Sequence, residues 1–261
     1  MLNKQNILGV GITSDKSSTI LEYVIDQIHG GTKKLFIVTP NPEILFYAKS
    51  HLAYKDKLNS ADIALADGIG VILASRLLGL PIQERTTGVD FIEQLCEMSR
   101  EKPISMGFLG GRSNVAELAA ECLKQKYPWI DVVFTGEEWD SRGFKIKDLR
   151  LKNDNKDEKI LNPKSLIVNQ PQIDILFVAY GFPKQEEWIY DNLATLPVKA
   201  AMGVGGAFDY LSGSVPRAPK FMRRLGFEWL YRLTIQPWRL KRQVALLKFI
   251  VLILKERFTH S

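Results

Sequence analysis

The sequence predicts an α/β fold: a Rossmann-like, mostly parallel sheet covered by helices, with a basic helical appendage at the C-terminal end. Three observations predict it. Short β-branched runs alternate with helix-length amphipathic segments, several of those runs end in glycine, and the composition changes after Gly213. With 261 residues there is enough chain for one large domain plus an appendage, and the composition divides it into 1–212 and 213–261.

The runs that read as strands are, in order, KKLFIV, ADIALA (61–66), ISMGFLG (104–110), DVVFTG (131–136), DILFVAY (174–180) and AAMGVGG (200–206). Between them PEILFYAKSHL, GVILASRLLG, VDFIEQLCEMSR, NVAELAAECLKQKYP and KQEEWIYDNLA repeat apolar residues at three- and four-residue spacing, the period of a helix with one buried face. Gly110-Gly111, Gly136, Gly181 and Gly203 to Gly206 close four of the strands. In an open parallel sheet the ligand crevice lies outside the carboxyl ends of the strands, and glycine lets the backbone approach a ligand there. A strand-to-helix turn often needs a glycine anyway, but glycines at several strand ends together favour a nucleotide-sized site. The polar stretch LKNDNKDEKILNPKS (151–165) reads as a surface loop or insertion.

The net charge of +6 is unevenly spread. From Arg217 to Ser261 eleven Lys and Arg face only two acids, Glu228 and Glu256, a local charge of +9 that leaves −3 for the first 216 residues. A basic tail wants an anionic surface or ligand. Its most apolar stretch, Val244 to Leu254, is interrupted by Lys248 and is well short of the roughly twenty apolar residues that span a bilayer. It could lie in a membrane interface, with Trp229, Trp238 and Phe249 at the headgroup boundary, or pack on the domain as a terminal hairpin. The two cysteines, Cys96 and Cys122, lie in helical contexts, and the N-terminus carries no signal-peptide pattern, so the expected compartment is a reducing cytosol.

Missing motifs narrow the chemistry. The histidines His29, His51 and His260 are scattered, and no Cys/His/carboxylate cluster has metal-ligand spacing. There is no GxxxxGK[ST] loop, no GxSxG elbow and no DxD pair, and Gly9-Val10-Gly11 only partly matches a dinucleotide fingerprint. The expectation is a protein with no cofactor and no metal.

The polar residues that remain fall at strand ends. Thr39 and Asn41 follow LFIV, Asp67 follows IALA, Arg85 lies in ERTTGVD, Lys184, Gln185 and Glu186 follow VAYGFP, and Asp209 follows GVGGAF. Gathered at one sheet edge they would put a carboxylate, cations, amides and a hydroxyl around one pocket. Each also has a plain structural use. Thr39, Asn41, Asp67 and Asp209 could be cap or turn residues, Arg85 a surface ion-pair partner, and Gln185 and Glu186 an ordinary first helical turn.

The segments TPNPEI, ADGIGV, ERTTGVDF, GFLGGRSNVAE, AYGFPKQEEWI and GVGGAFDYLSGSVPRAPKFMRRLGFEWLYRLTIQP, in this order, resemble the WecG/TagA/CpsF family, glycosyltransferase family 26, from about residue 7 to residue 243. The segment after GEEWDSRGF departs from it, being longer and more polar. The resemblance implies a metal-independent, inverting transferase. It would move a sugar, N-acetylmannosamine in the best-known type, from UDP onto polyprenyl-diphosphate-linked N-acetylglucosamine. By the same resemblance Asp67 would be the general base, with Thr39 and Asn41 positioning the donor sugar and Arg85 neutralising the diphosphate. Gln185 would hold the nucleotide with the backbone of Gly110, Gly111 and Gly181; Asp209, by its place after GVGGAF, is a further substrate-binding candidate. Arg217, Arg223 and Arg224 would bind phosphates, and the appendage would sit on the inner face of the cytoplasmic membrane over the site. A uronic-acid donor, a nucleic-acid-binding tail, an idle interaction subunit and a homo-oligomer stay open at this point.

Overall fold

The computed structural model describes residues 2–136 and 173–259, so the expectation for 151–165 falls outside the described residues. The chain opens with a small antiparallel hairpin, β1 (Lys4–Ile7) and β2 (Val10–Thr13). Its two-residue turn, Leu8-Gly9, has φ of 55° and 86°, the doubly positive backbone that matches the twist of paired strands. Asn6 Oδ1 accepts from Gly9 N at 2.8 Å. Gly9-Val10-Gly11 is therefore hairpin and opens no helix, which removes even the partial dinucleotide match.

Next come α1 (Ser17–Gly30), β3 (Leu35–Val38), α2 (Pro42–Ser50), α3 (Leu52–Asn59), β4 (Ile63–Ala64), α4 (Ile69–Leu77) and α5 (Gly88–Met98). The described chain continues with β5 (Ser105–Gly110), α6 (Val115–Lys126), β6 (Asp131–Gly136), β7 (Ile173–Ala179), α7 (Lys184–Asn192), β8 (Val198–Gly203) and α8 (Ala207–Leu211). The six expected strands form one sheet in the order β4-β3-β8-β7-β5-β6, with every neighbouring pair parallel. PEILFYAKSHL breaks at His51, where α3 begins.

Strand periodicity sorts the core into two layers. Leu35, Ile37, Met106, Phe108, Ile175, Phe177, Ala200 and Met202 face one cluster with α1, α5, α6 and α8. Their neighbours Phe36, Val38, Leu109, Leu176, Val178 and Ala201 face the other, with the hairpin, α2, α3, α4 and α7. Strands buried on both sides read as continuous apolar runs, the expected signature of a helix-covered parallel sheet.

The appendage comprises α9 (Lys220–Arg224), α10 (Glu228–Ile235), a 3₁₀ turn at Pro237–Arg239 and α11 (Leu240–Thr259). Composition changes at 213, yet α11 returns to the domain. Its Phe249 and Ile253 belong to the second core layer, and the Glu256 carboxylate accepts from Leu8 N at 3.2 and 3.3 Å. Among the described residues no helix is long and apolar enough to cross a membrane.

Candidate active site

The carboxyl ends of β3, β4 and β8 converge where chain order jumps across the sheet. Thr39, one residue past β3, is buried and its hydroxyl donates to Gly203 O at the end of β8, 3.1 Å away. Asn41 caps α2, its Oδ1 accepting from Ile44 N at 3.0 Å, while Pro42 starts the helix. The cap reading of Asn41 is therefore met, and its Nδ2 hydrogens stay available among the described residues. Asp67 N donates to Pro40 O at 3.0 Å, which sets this aspartate beside the Thr39-Asn41 segment. Gly68 follows with φ 90°, a backbone that L side chains rarely adopt, and swings the chain into α4.

Asp67 keeps part of its surface accessible although protein closes around it. Burial raises its carboxyl to about 7; nearby Arg85 pulls the other way, Glu228 and Asp90 push further up, and Arg232 again lowers it. A carboxyl poised there exchanges protons at neutral pH, as a general base needs to do.

Arg85 and Arg232 act on this carboxylate, and Arg217 and Arg223 of the appendage gather on the acids beside it. Arg85 Nη2 donates to Arg223 O at 3.1 Å, and its Nη1 lies 3.9 Å from Glu228 Oε2. Arg217 reaches Asp90 at 2.6 Å, Glu228 at 3.2 Å and Glu93 at 3.4 Å. Arg223 Nη1 lies 3.9 Å from Asp90, and Arg232 pairs with Asp209 at 3.1 Å and stacks over the Tyr210 ring. Burial alone would raise Asp90, but the Thr87 hydroxyl and Arg217 outweigh it and hold the carboxyl below the usual range. Asp90 stands three residues after Thr87, whose hydroxyl caps α5 by accepting from Asp90 N at 3.2 Å.

Some expected site residues are occupied inside the fold. The Thr39 proton is spent on Gly203. Both ends of the Gln185 amide are taken, one by Gly205 N and one by Glu186, and the side chain is almost fully buried. Arg217 is a hub of internal ion pairs rather than an unpaired phosphate ligand. Arg224 is exposed and lies outside this network. Gly110, Gly111 and Gly181, all at positive φ, close β5 and β7 further along the same sheet edge. A Cβ on Gly110 would lie 2.8 Å from the Tyr180 ring, so only glycine lets β5 and β7 end together here.

Sequence reasoning missed three groups of this cluster: Asp90, Glu228 and Arg232. Asp90 carried a signal as the fourth residue of a TGVD cap, and Glu228 as one of two acids in a basic tail, but neither signal names its partner. Among the described residues no three His, Cys, Asp or Glu side chains gather as a metal site. What the arrangement offers is a partly accessible carboxylate of raised pKa, glycine-lined strand ends, and arginines shaped to meet phosphate oxygens.

Comparison with known proteins identifies a family. The family model described as "Glycosyl transferase WecG/TagA/CpsF family" matches residues 5–261. The chain is 34% identical over 254 residues to an N-acetylglucosaminyldiphosphoundecaprenol N-acetyl-beta-D-mannosaminyltransferase of Bacillus spizizenii, covering 97% of this chain and 90% of the relative. Proteins of the same name from Bacillus subtilis and Staphylococcus aureus are 31% and 33% identical, covering 98% and 97% of this chain and 93% of each relative. The chain therefore belongs to the glycosyl transferase WecG/TagA/CpsF family, and it is a transferase.

Proposed function

We propose that this protein transfers N-acetylmannosamine from a UDP-sugar to polyprenyl-diphosphate-linked N-acetylglucosamine, with inversion and without a metal. The observation that carries the reading is Asp67: a carboxyl raised to about 7, at the carboxyl edge of a parallel sheet, with Arg85 beside it. Asp67 takes the proton of an acceptor hydroxyl as that oxygen attacks the anomeric carbon from the face opposite UDP. The bond to the UDP oxygen breaks, its electron pair stays on the diphosphate, and Arg85 meets the charge that develops there. Asn41 offers its amide hydrogens to the donor sugar beside Asp67, and Thr39 keeps the ends of β3 and β8 in register beneath it. The glycine-closed ends of β5 and β7 would take the nucleotide. The names of the relatives support the transferred sugar and the acceptor class.

The appendage, residues 213–261, serves in this reading as a lid that docks the enzyme on the inner face of the cytoplasmic membrane. Phe221, Leu225, Trp238, Leu240, Val244, Leu247, Val251, Leu254 and Phe258 are exposed, and the last six repeat along α11 at intervals of four and three. An apolar stripe flanked by cations suits an anionic lipid interface.

The test is UDP release from a panel of UDP-sugars with a short-chain polyprenyl-diphosphate-N-acetylglucosamine acceptor, EDTA throughout, for wild type and Asp67→Asn. Acceptor-dependent release from UDP-N-acetylmannosamine, lost in the variant, is the expected result. Release that needs a divalent ion, or that survives in Asp67→Asn, would overturn the mechanism.

A further inference from the structure

On α7, beneath the glycine turn that follows β8, lie two adjacent buried polar residues, and the reaction as proposed gives no task to the second. Gln185 is 2% exposed and Glu186 fully buried. Gln185 Oε1 accepts from Gly205 N at 2.8 Å, and Gln185 Nε2 donates to Glu186 Oε1 at 2.7 Å. The other carboxylate oxygen, Glu186 Oε2, is shut away from solvent beside the Tyr54 hydroxyl of α3. This is a relay of hydrogen bonds, from a carboxyl through an amide to a backbone N–H, with both side chains buried and the Gly205 end partly buried.

The order of the relay has a chemical reason. An amide has two ends of nearly equal shape and opposite polarity. With its NH₂ end turned toward Gly205, Gln185 would set donor against donor. Burial pushes the Glu186 carboxyl up to about 7, but in either protonation state it keeps an oxygen that accepts, so it draws the NH₂ to itself and leaves the carbonyl for Gly205. The turn it holds is pinned from two other sides. Thr39 Oγ1 donates to Gly203 O at 3.1 Å, and Arg232 of the appendage packs over Gly206, 2.8 Å from where a Cβ would stand. A side chain on Gly203 would crowd the Gln185 amide, whose Nε2 stands 3.0 Å from the Cβ position.

We propose that Glu186 is a positioning residue for donor binding: it locks the Gln185 amide in the orientation that holds the Gly203–Gly206 turn, which floors the crevice for the nucleotide diphosphate. The proposal rests on the transferase reading for its substrate but not for its geometry. A buried polar group of this kind acts only through the residue it orients, as an outer-shell carboxylate does for a metal-bound histidine.

The test compares full-length Glu186→Gln, which keeps an acceptor oxygen at the same volume, with Glu186→Leu, which keeps bulk alone. Amide hydrogen exchange at Gly205 without substrate reads the pin directly, and it should quicken about tenfold in Glu186→Leu and stay unchanged in Glu186→Gln. In steady state, Glu186→Leu should raise the KM for the UDP-sugar about tenfold while kcat and the acceptor KM hold within about twofold. Glu186→Met asks the same question if the leucine variant does not fold. Wild-type exchange at Gly205 in Glu186→Leu overturns the proposal. So does equal damage in Glu186→Gln, which would mean that charge and not an acceptor oxygen matters. A uniform loss in kcat and both KM values would also overturn it. Wild-type inactivity toward every UDP-sugar would sink the transferase reading and leave the exchange result standing.

Discussion

Arg85 Nη2 donates to the backbone oxygen of Arg223 at 3.1 Å, so a side chain at the edge of the catalytic sheet holds the main chain of the appendage. The same guanidinium lies near Asp67 and opposes the rise of its pKa. One residue thus touches both the main chain of the appendage and the electrostatics of the candidate base. Arg85→Ala is expected to lower kcat/KM about 10²–10³-fold, the range for removing one preorganised donor from a transition state. Arg85→Lys should recover only part of this, because an ammonium cannot serve the carbonyl and a phosphate with a planar fork. Steady-state kinetics of both variants against wild type decides it.

Asp67 gives a pH prediction with two readouts. If it is the base, kcat/KM should climb with pH and level off above about 7, and Asp67→Asn should abolish turnover across the range. Stability should run the opposite way. A carboxyl whose folded value is raised from 3.8 to about 7 keeps its proton in the native state when the unfolded chain has already lost it. Native stability therefore falls as pH rises through that window, and the loss is complete above about 7. Asp67→Asn removes this loss, so its Tm should exceed that of wild type at pH 8 and match it near pH 4. Melting curves at the two pH values check the sign.

Arg217 ties the appendage to α5 through Asp90 and Glu93, and to α10 through Glu228. Arg217→Ala leaves Glu228, Asp90 and Glu93 in a half-buried place with only Arg85, Arg223 and Lys126 as remaining cationic partners among the described residues. The expected cost is about 1–3 kcal/mol, below the value for a fully buried pair because Asp90 and Glu93 keep some exposure. Chemical denaturation measures it, and limited proteolysis should show cleavage in 213–239 before the rest of the chain. A variant as stable and as resistant as wild type would mean that the ion pairs do not hold the appendage.

The last helix has two apolar faces with different tasks. Phe249 is buried against the domain, and Phe249→Ala should cost about 3–4 kcal/mol, as large-to-small core changes do. Deletion of 213–261 removes that packing too, so the truncated protein should melt well below full length. Leu247 and Val251 lie on the outer face, and Leu247→Asp with Val251→Asp should leave Tm within about 2 °C. The double variant should lose co-sedimentation with anionic vesicles. Vesicle binding equal to wild type would move the membrane contact off α11.

The sequence by itself determined the sheet, its helical cover and the family. Runs such as LFIV and DILFVA are buried on both sides, so their composition announces the strand without reference to any partner. Residue types at strand ends likewise marked Asp67 and Arg85 as site candidates, because open parallel sheets gather ligands at that edge. The N-terminal hairpin was missed because β1, KQNI, is largely polar with only Ile7 buried, and GVG resembled another motif. Only the tertiary structure decided what each polar group faces. Thr39 and Gln185 turn inward to brace the end of β8, Arg217 is consumed by three carboxylates, and Asp90, Glu228 and Arg232 join the charged groups that act on Asp67. Local periodicity reports which side of an element is buried. Which charge meets which depends on distances between segments more than a hundred residues apart, such as Asp90 and Arg217, and those are set by how the layers pack.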